Sequence, residues 1–168
     1  RYRSSAASDV YKRQIQQGEI VSFDTDMVGP YGYCADISRT FVCGNIFNDN
    51  QKNLYSMAVN QINHNSSLIK DGTTFKEFIE KSWKLPKEYY GNRYSVMVHG
   101  IGLCDEWPSI RYPTDGGDKG GIFQNNMTIT VESYIGKVGG KEGVKLEQQY
   151  LVGQNGLELM SHHPLEDI

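Results

Sequence analysis

The feature that most constrains this chain is the placement of ionisable residues inside runs that otherwise read as buried β-strands. Glu132 interrupts TITVESYI, Glu147 interrupts VKLEQQYLV, and His99 follows SVMV. Runs rich in Val, Ile, Thr and Tyr predict strands. Carboxylates are rarely buried unless they are paired, so strands that carry them inward must also bring them a partner. Asp24, Asp26 and Asp36 add three more acids, in EIVSFDTD and YCADISRTFV. Strand side chains alternate between faces, so Asp24 and Asp26 are predicted to share a face, with Thr25 opposite. The turn chemistry of MVGPYG predicts a hairpin that returns Asp36 alongside Asp26.

Several carboxylates brought together repel one another and raise each other's pKa. A divalent cation reverses that cost. Oxygen-rich ligands with one imidazole suit manganese, iron, cobalt or zinc, and suit magnesium less because of the histidine.

The rest of the chain supplies a scaffold. Asn48 or Asp49 predicts the cap of a helix running to about Lys70, with Leu54, Met57, Ala58, Ile62 and Ile69 near helical spacing. Asp71-Gly72 stops it. Thr74 with Glu77 predicts the start of a second helix carrying Phe75, Phe78, Ile79 and Trp83 toward the core, ended by Pro86. Strands are predicted over 94–103, 127–135 and 144–152, after the two at 19–26 and 33–42. The order strand, strand, helix, helix, strand, strand, strand predicts an α+β fold with an antiparallel sheet.

At 168 residues the chain suits one domain. No apolar run approaches the roughly 18 residues that a membrane-spanning helix needs. The net charge of −3 argues against nucleic-acid binding. Cys34, Cys43 and Cys104 are odd in number and lack CxxC spacing, which points to a reducing, cytoplasmic setting rather than a disulfide framework. Residues 1–14 (RYRSSAASDVYKRQ) are basic and without periodicity, and are read as a non-native leader, with residues 15–168 as the folded part.

The strings GYCADISRTF, HGIGL, VES and KLEQQ resemble the pita-bread metalloenzymes, the family of methionine aminopeptidase, proline-specific aminopeptidases and prolidases. The resemblance covers about residues 18–160. It implies the curved antiparallel sheet and helices of the pita-bread fold, with a dinuclear metal centre in which Asp36 and Glu147 bridge. It also implies that residues 15–168 are the C-terminal part of a catalytic domain, so that the fragment alone is expected to expose an apolar face and to be inactive or unstable.

Two departures from the peptidases narrow the branch. Thr25 stands where they carry the first ligand Asp, flanked by Asp24 and Asp26. HGIGLCDEWP places Asp105 near where they carry a second His. Both departures, with DTD, GPYGYCADISRT and LCDEWP, resemble the dimethylsulfoniopropionate lyases of the DddP type. That resemblance implies Asp24, Asp26, Asp36, His99, Glu132 and Glu147 as ligands of two divalent ions, iron first, with zinc, manganese or cobalt as alternatives. It implies Asp105 as general base, and Tyr94 and Trp107 as aromatic faces for a small-molecule sulfonium carboxylate. It further implies a homodimer of the full-length parent. The implied reaction is β-elimination to dimethyl sulfide and acrylate. The alternatives are an Xaa-Pro metallopeptidase and a non-catalytic pita-bread binding domain.

Overall fold

A computed structural model describes residues 14–44, 46–117 and 119–165. Residues 1–14 therefore fall outside the described residues, apart from Gln14. Among the described residues, nine strands and three α-helices follow one another. A five-stranded antiparallel sheet forms the frame, in the order β6-β5-β7-β8-β9. Its members are β5 (Val96–Gly100), β6 (Ser109–Arg111), β7 (Thr128–Gly136), β8 (Gly143–Val152) and β9 (Leu157–Leu159). Ahead of it, β1 (Ile20–Asp24) pairs with β4 (Ser38–Val42), and β2 (Met27–Val28) pairs with β3 (Cys34–Ala35).

The sheet is two-faced because its side chains alternate. On β7, Ile129, Val131 and Ile135 point toward the helices, and on β8 Val144, Leu146 and Val152 do the same; all are buried. Against them packs α1 (Asp49–Ser67), through Leu54, Tyr55, Ala58 and Ile62. Each buried Leu, Ile or Val side chain among them contributes about 2 kcal/mol by leaving water. The helix begins as predicted, since the Asn48 side chain accepts from the Gln51 N–H, and Gln51 reaches back to the Asn48 N–H to close a capping box. Between β7 and β8 the register places Glu132 directly opposite Glu147, and Ser133 opposite Leu146.

Three expectations about the scaffold are corrected. The first hairpin is not two unbroken strands, because Asp26 adopts φ 34 and the ladder lapses between Asp24↔Ser38 and Met27↔Ala35. The second helix, α2 (Phe75–Lys81), is capped by Thr74 as predicted but ends at Ser82, whose ψ of 156 leaves the helical region. Trp83 therefore lies beyond it, and Pro86 instead caps a short α3 (Lys87–Tyr90). The three-residue strands β6 and β9 were not foreseen, being too short to show a period.

The C-terminal residues return to this frame through Arg39. Its buried guanidinium donates to the carbonyls of Ser38 and Glu147, to Gln148 Oε1, and to the carbonyls of His163 and Pro164. Large apolar side chains are exposed at Phe23, Met27, Val28 and Tyr31 in the first hairpin and at Leu103 and Trp107 in the loop after β5. No helix among the described residues is long and apolar enough to cross a membrane.

Candidate metal centre

The sheet face away from α1 carries the ionisable residues. His99 on β5 lies opposite Thr130 on β7, and Glu132 on β7 lies opposite Glu147 on β8. Like charges directly opposite in a ladder are destabilising, so the pair demands compensation. Asp36, between β3 and β4, completes the group. Asp36, His99 and Glu147 each offer a ligand atom, and these atoms lie within 4.8 Å of one another. All three residues are buried, and so is Glu132.

His99 is oriented for ligation. Its Nδ1 lies 3.0 Å from the Gly100 carbonyl oxygen, which only accepts, so Nδ1 is the donor. Its Nε2 faces inward, 3.2 Å from Glu147 Oε1, 3.3 Å from Glu132 Oε1 and 3.9 Å from Asp36 Oδ2. Those two glutamate oxygens, Glu132 Oε1 and Glu147 Oε1, are buried and have no hydrogen-bond partner. Buried acceptors left open in this way are costly, and a cation between them and Nε2 would complete them. Three carboxylate oxygens and one imidazole nitrogen fit the donor preferences of a first-row divalent metal.

The electrostatics show the same demand for positive charge. Burial, then Glu147, Asp24 and Asp26, pushes Asp36 up to about 8. Burial works against the His99 imidazolium, but Glu132 and Glu147 overcome it and lift His99 to about 11. Burial raises the Glu132 carboxyl. At Glu147 burial acts the same way and is outweighed by His99 and Lys145, which draw the carboxyl down.

Asp24 and Asp26 flank the buried group. Asp24 Oδ1 accepts from Ser38 Oγ at 2.6 Å, and the same hydroxyl lies 2.9 Å from Glu147 Oε2. The Asp26 side chain is exposed, and its backbone N–H donates to Asp36 Oδ1 at 3.3 Å. Thr25 accepts from the Ile37 N–H, a backbone role. Asp105 lies in the exposed stretch 103–107 of the loop after β5, and its carboxylate accepts from the Glu106 N–H at 3.0 Å, as in a local turn. Tyr94 donates to Glu106 Oε1 at 3.4 Å, and burial followed by Glu132 raises its hydroxyl pKa. Trp107 is exposed, with Lys119 Nζ 5.5 Å from its ring. The loop doubles back at Gly100, where an added Cβ would stand 2.1 Å from the Trp107 carbonyl oxygen.

One resident of the cluster was missed. Lys145 Nζ hydrogen-bonds Glu132 Oε2, lies 3.2 Å from Glu147 Oε2 and 3.9 Å from Asp24 Oδ2, and sits 4.8 Å from the centre of the Tyr94 ring. The signal was available, since Lys145 is two residues before Glu147 and so shares its strand face. Gln149 continues that face, and its Oε1 accepts from the Asp36 N–H at 3.3 Å.

The profile of metallopeptidase family M24 matches residues 3–154. The chain is 37% identical over 158 residues to dimethylsulfoniopropionate lyase DddP of Roseovarius nubinhibens, and 35% identical to that of Roseobacter denitrificans. Each match covers 92% of this chain and 35% of the relative, so the chain spans about a third of the length of these curated relatives. Among solved structures, prolidase from Pyrococcus furiosus superposes with a TM-score of 0.76 at 27% identity, over 90% of this chain and 44% of the prolidase.

Proposed function

The chain belongs to metallopeptidase family M24 and has its pita-bread fold, and from that premise we propose that the protein is a metal-dependent lyase cleaving dimethylsulfoniopropionate to dimethyl sulfide and acrylate. The observation that carries the reading is the buried group of Asp36, His99 and Glu147, in a chain 37% identical to a lyase of that name. Residues 15–168 are read as part of the catalytic domain.

Asp24, Asp26, Asp36, His99, Glu132 and Glu147 are assigned to hold two divalent ions, iron first. When bound, the metal supplies Lewis acidity that draws electron density from a substrate carboxylate and acidifies the adjacent α-hydrogen. Asp105 acts as the general base. The α-C–H bond breaks and its proton passes to the Asp105 carboxylate. The freed electron pair forms the carbon–carbon double bond as the β-C–S bond breaks. Sulfur keeps that bond's pair and leaves as neutral dimethyl sulfide. Tyr94 and Trp107 are assigned to offer ring faces to the sulfonium; Tyr94 and Trp107 each lie near a lysine ammonium already.

The test is dimethyl sulfide release by the iron-loaded protein, followed by gas chromatography. Release that is lost in Asp105→Ala while metal content is kept supports both the lyase and the base. A folded, metal-loaded protein that releases none overturns the lyase reading. The likeness to prolidase favours a second reading, an Xaa-Pro peptidase, and cleavage of Xaa-Pro dipeptides by the same preparation would establish it. Protein that takes up no metal would favour a binding domain.

A further inference from the structure

We propose that Glu106 is a specificity residue: its carboxylate, beside the Tyr94 and Trp107 rings, selects a substrate that carries a fixed positive charge, a sulfonium or a quaternary ammonium, over a neutral molecule of the same shape. The inference deepens the lyase reading and rests on it for the place of the substrate. Glu106 stands between Asp105 and Trp107 in the exposed stretch after β5, and its Oε1 accepts from the Tyr94 hydroxyl at 3.4 Å. It thus joins three residues already assigned to the substrate.

Glu106 differs from the acids of the centre in what answers its charge. Glu132 and Glu147 face both His99 and Lys145, Asp36 faces His99, and Asp24 faces Lys145. Glu106 has no ion pair among the described residues and meets the neutral Tyr94 hydroxyl instead. Burial, then Glu132 and Glu106, raise the pKa of that hydroxyl, so it remains a donor. The position is held against a backbone preference. Glu106 has φ 57, in the left-handed region that residues with a Cβ seldom adopt. Such conformations cluster where a site must aim a side chain.

The rings beside it attract cations already. Lys145 Nζ lies 4.8 Å from the centre of the Tyr94 ring, and Lys119 Nζ lies 5.5 Å from that of Trp107. A ring face alone selects weakly, because neutral methyl groups also pack on it. A carboxylate adds the discrimination. It attracts a cation a few ångströms away through an effective dielectric constant of about 20 near a protein surface. A neutral head group in the same place removes water from the carboxylate and returns nothing. The attraction belongs to the bound sulfonium and fades as the C–S bond breaks, since dimethyl sulfide is neutral. It therefore strengthens binding and does not speed the bond-breaking step.

Calorimetry on the iron-loaded protein tests it with two ligands that have no sulfur to release: β-alanine betaine, a quaternary ammonium carboxylate, and its isostere with carbon in place of nitrogen. The native protein is expected to bind the betaine at least about tenfold more tightly than the isostere. Glu106→Gln is expected to remove most of that preference by weakening the betaine alone, and Glu106→Asp to keep part of it. With dimethylsulfoniopropionate, Glu106→Gln should raise KM about tenfold and leave kcat undiminished. No preference in the native protein, a preference unchanged in Glu106→Gln, or no binding of either ligand would overturn the proposal. So would equal weakening of both ligands, or a fall in kcat at unchanged KM, since either would make Glu106 a residue that only shapes the loop. The lyase reading fails separately: a protein that prefers the betaine yet releases no dimethyl sulfide keeps the cation site and loses the lyase.

Discussion

Two polar clusters sit back to back on β7, built from adjacent residues. Ser133 points to the helix side and Glu132 to the other. On the helix side, Ser133 Oγ donates to Gln61 Oε1 at 2.7 Å, and Gln61 Nε2 donates to Tyr112 OH at 2.7 Å. Every partner there is neutral and comes from this chain. On the other side the partners are charged, and two glutamate oxygens have no hydrogen-bond partner. The same strand thus buries polar groups in two ways. One cluster is completed by folding and the other is left for something that arrives later. A closed neutral network adds stability and specifies a core. An open charged one reduces stability and gains the capacity to bind.

Breaking the open cluster should have the largest effect, and it should be an effect on binding. Glu147→Gln is expected to lower affinity for a divalent ion by at least on the order of a hundredfold, measured by calorimetry, with an unchanged circular dichroism spectrum. Unaltered affinity would remove Glu147 from the centre.

The next effect concerns stability in chelator. Asp36 is raised from 3.8 to about 8, so its favourable contribution is fully present below pH 3.8 and is lost as pH rises through about 8. Asp36→Asn has no such loss. Urea unfolding should show the variant gaining on the native protein from pH 5 to pH 8.5, by on the order of 4 kcal/mol. A constant difference across that range would mean that Asp36 titrates normally.

The closed cluster should respond differently, in stability alone. Tyr112→Phe leaves the Gln61 donor unpaired and is expected to cost about 1.5 kcal/mol, with metal affinity unchanged. Burial, partly offset by Gln61, lifts Tyr112 to about 12. Its contribution is therefore whole below pH 10 and is lost as pH rises through about 12, a fall in stability that the phenylalanine variant should lack. Ser133→Ala should have the smallest effect, about 1 kcal/mol, again with no change in metal uptake. A shift in metal affinity in either variant would mean that the two faces are coupled through β7.

The comparison also explains what could be read from the sequence. Glu132, Glu147 and His99 could be placed because a strand's period of two fixes a side chain's face once the strand is recognised. The same rule failed to align Asp24 with Asp26, since φ 34 at Asp26 breaks the strand between them. Asn48 and Thr74 announced their helices through cap chemistry that is local to a few residues. Lys145 was on the right face and was overlooked because a lysine in a strand ordinarily reads as solvated. Its role comes from what three other segments bring to it, and no local pattern encodes that. Asp105 shows the same limit: its neighbours in sequence suggest a turn, and its assignment as a base comes from resemblance.

Arg39 has a practical consequence. One buried guanidinium joins the backbone of Glu147 to that of His163 and Pro164. The tail is therefore a tie-rod anchored directly behind a candidate ligand, and slack at one end becomes play at the other. A load applied near residue 165 would reach the backbone of Glu147 through the Arg39 guanidinium, beside the bonds that Met160 and Ser161 make to Gln149. Disturbance of residues 163–164 would then read as a weak metal site, so metal uptake is best compared between proteins that leave these residues unaltered.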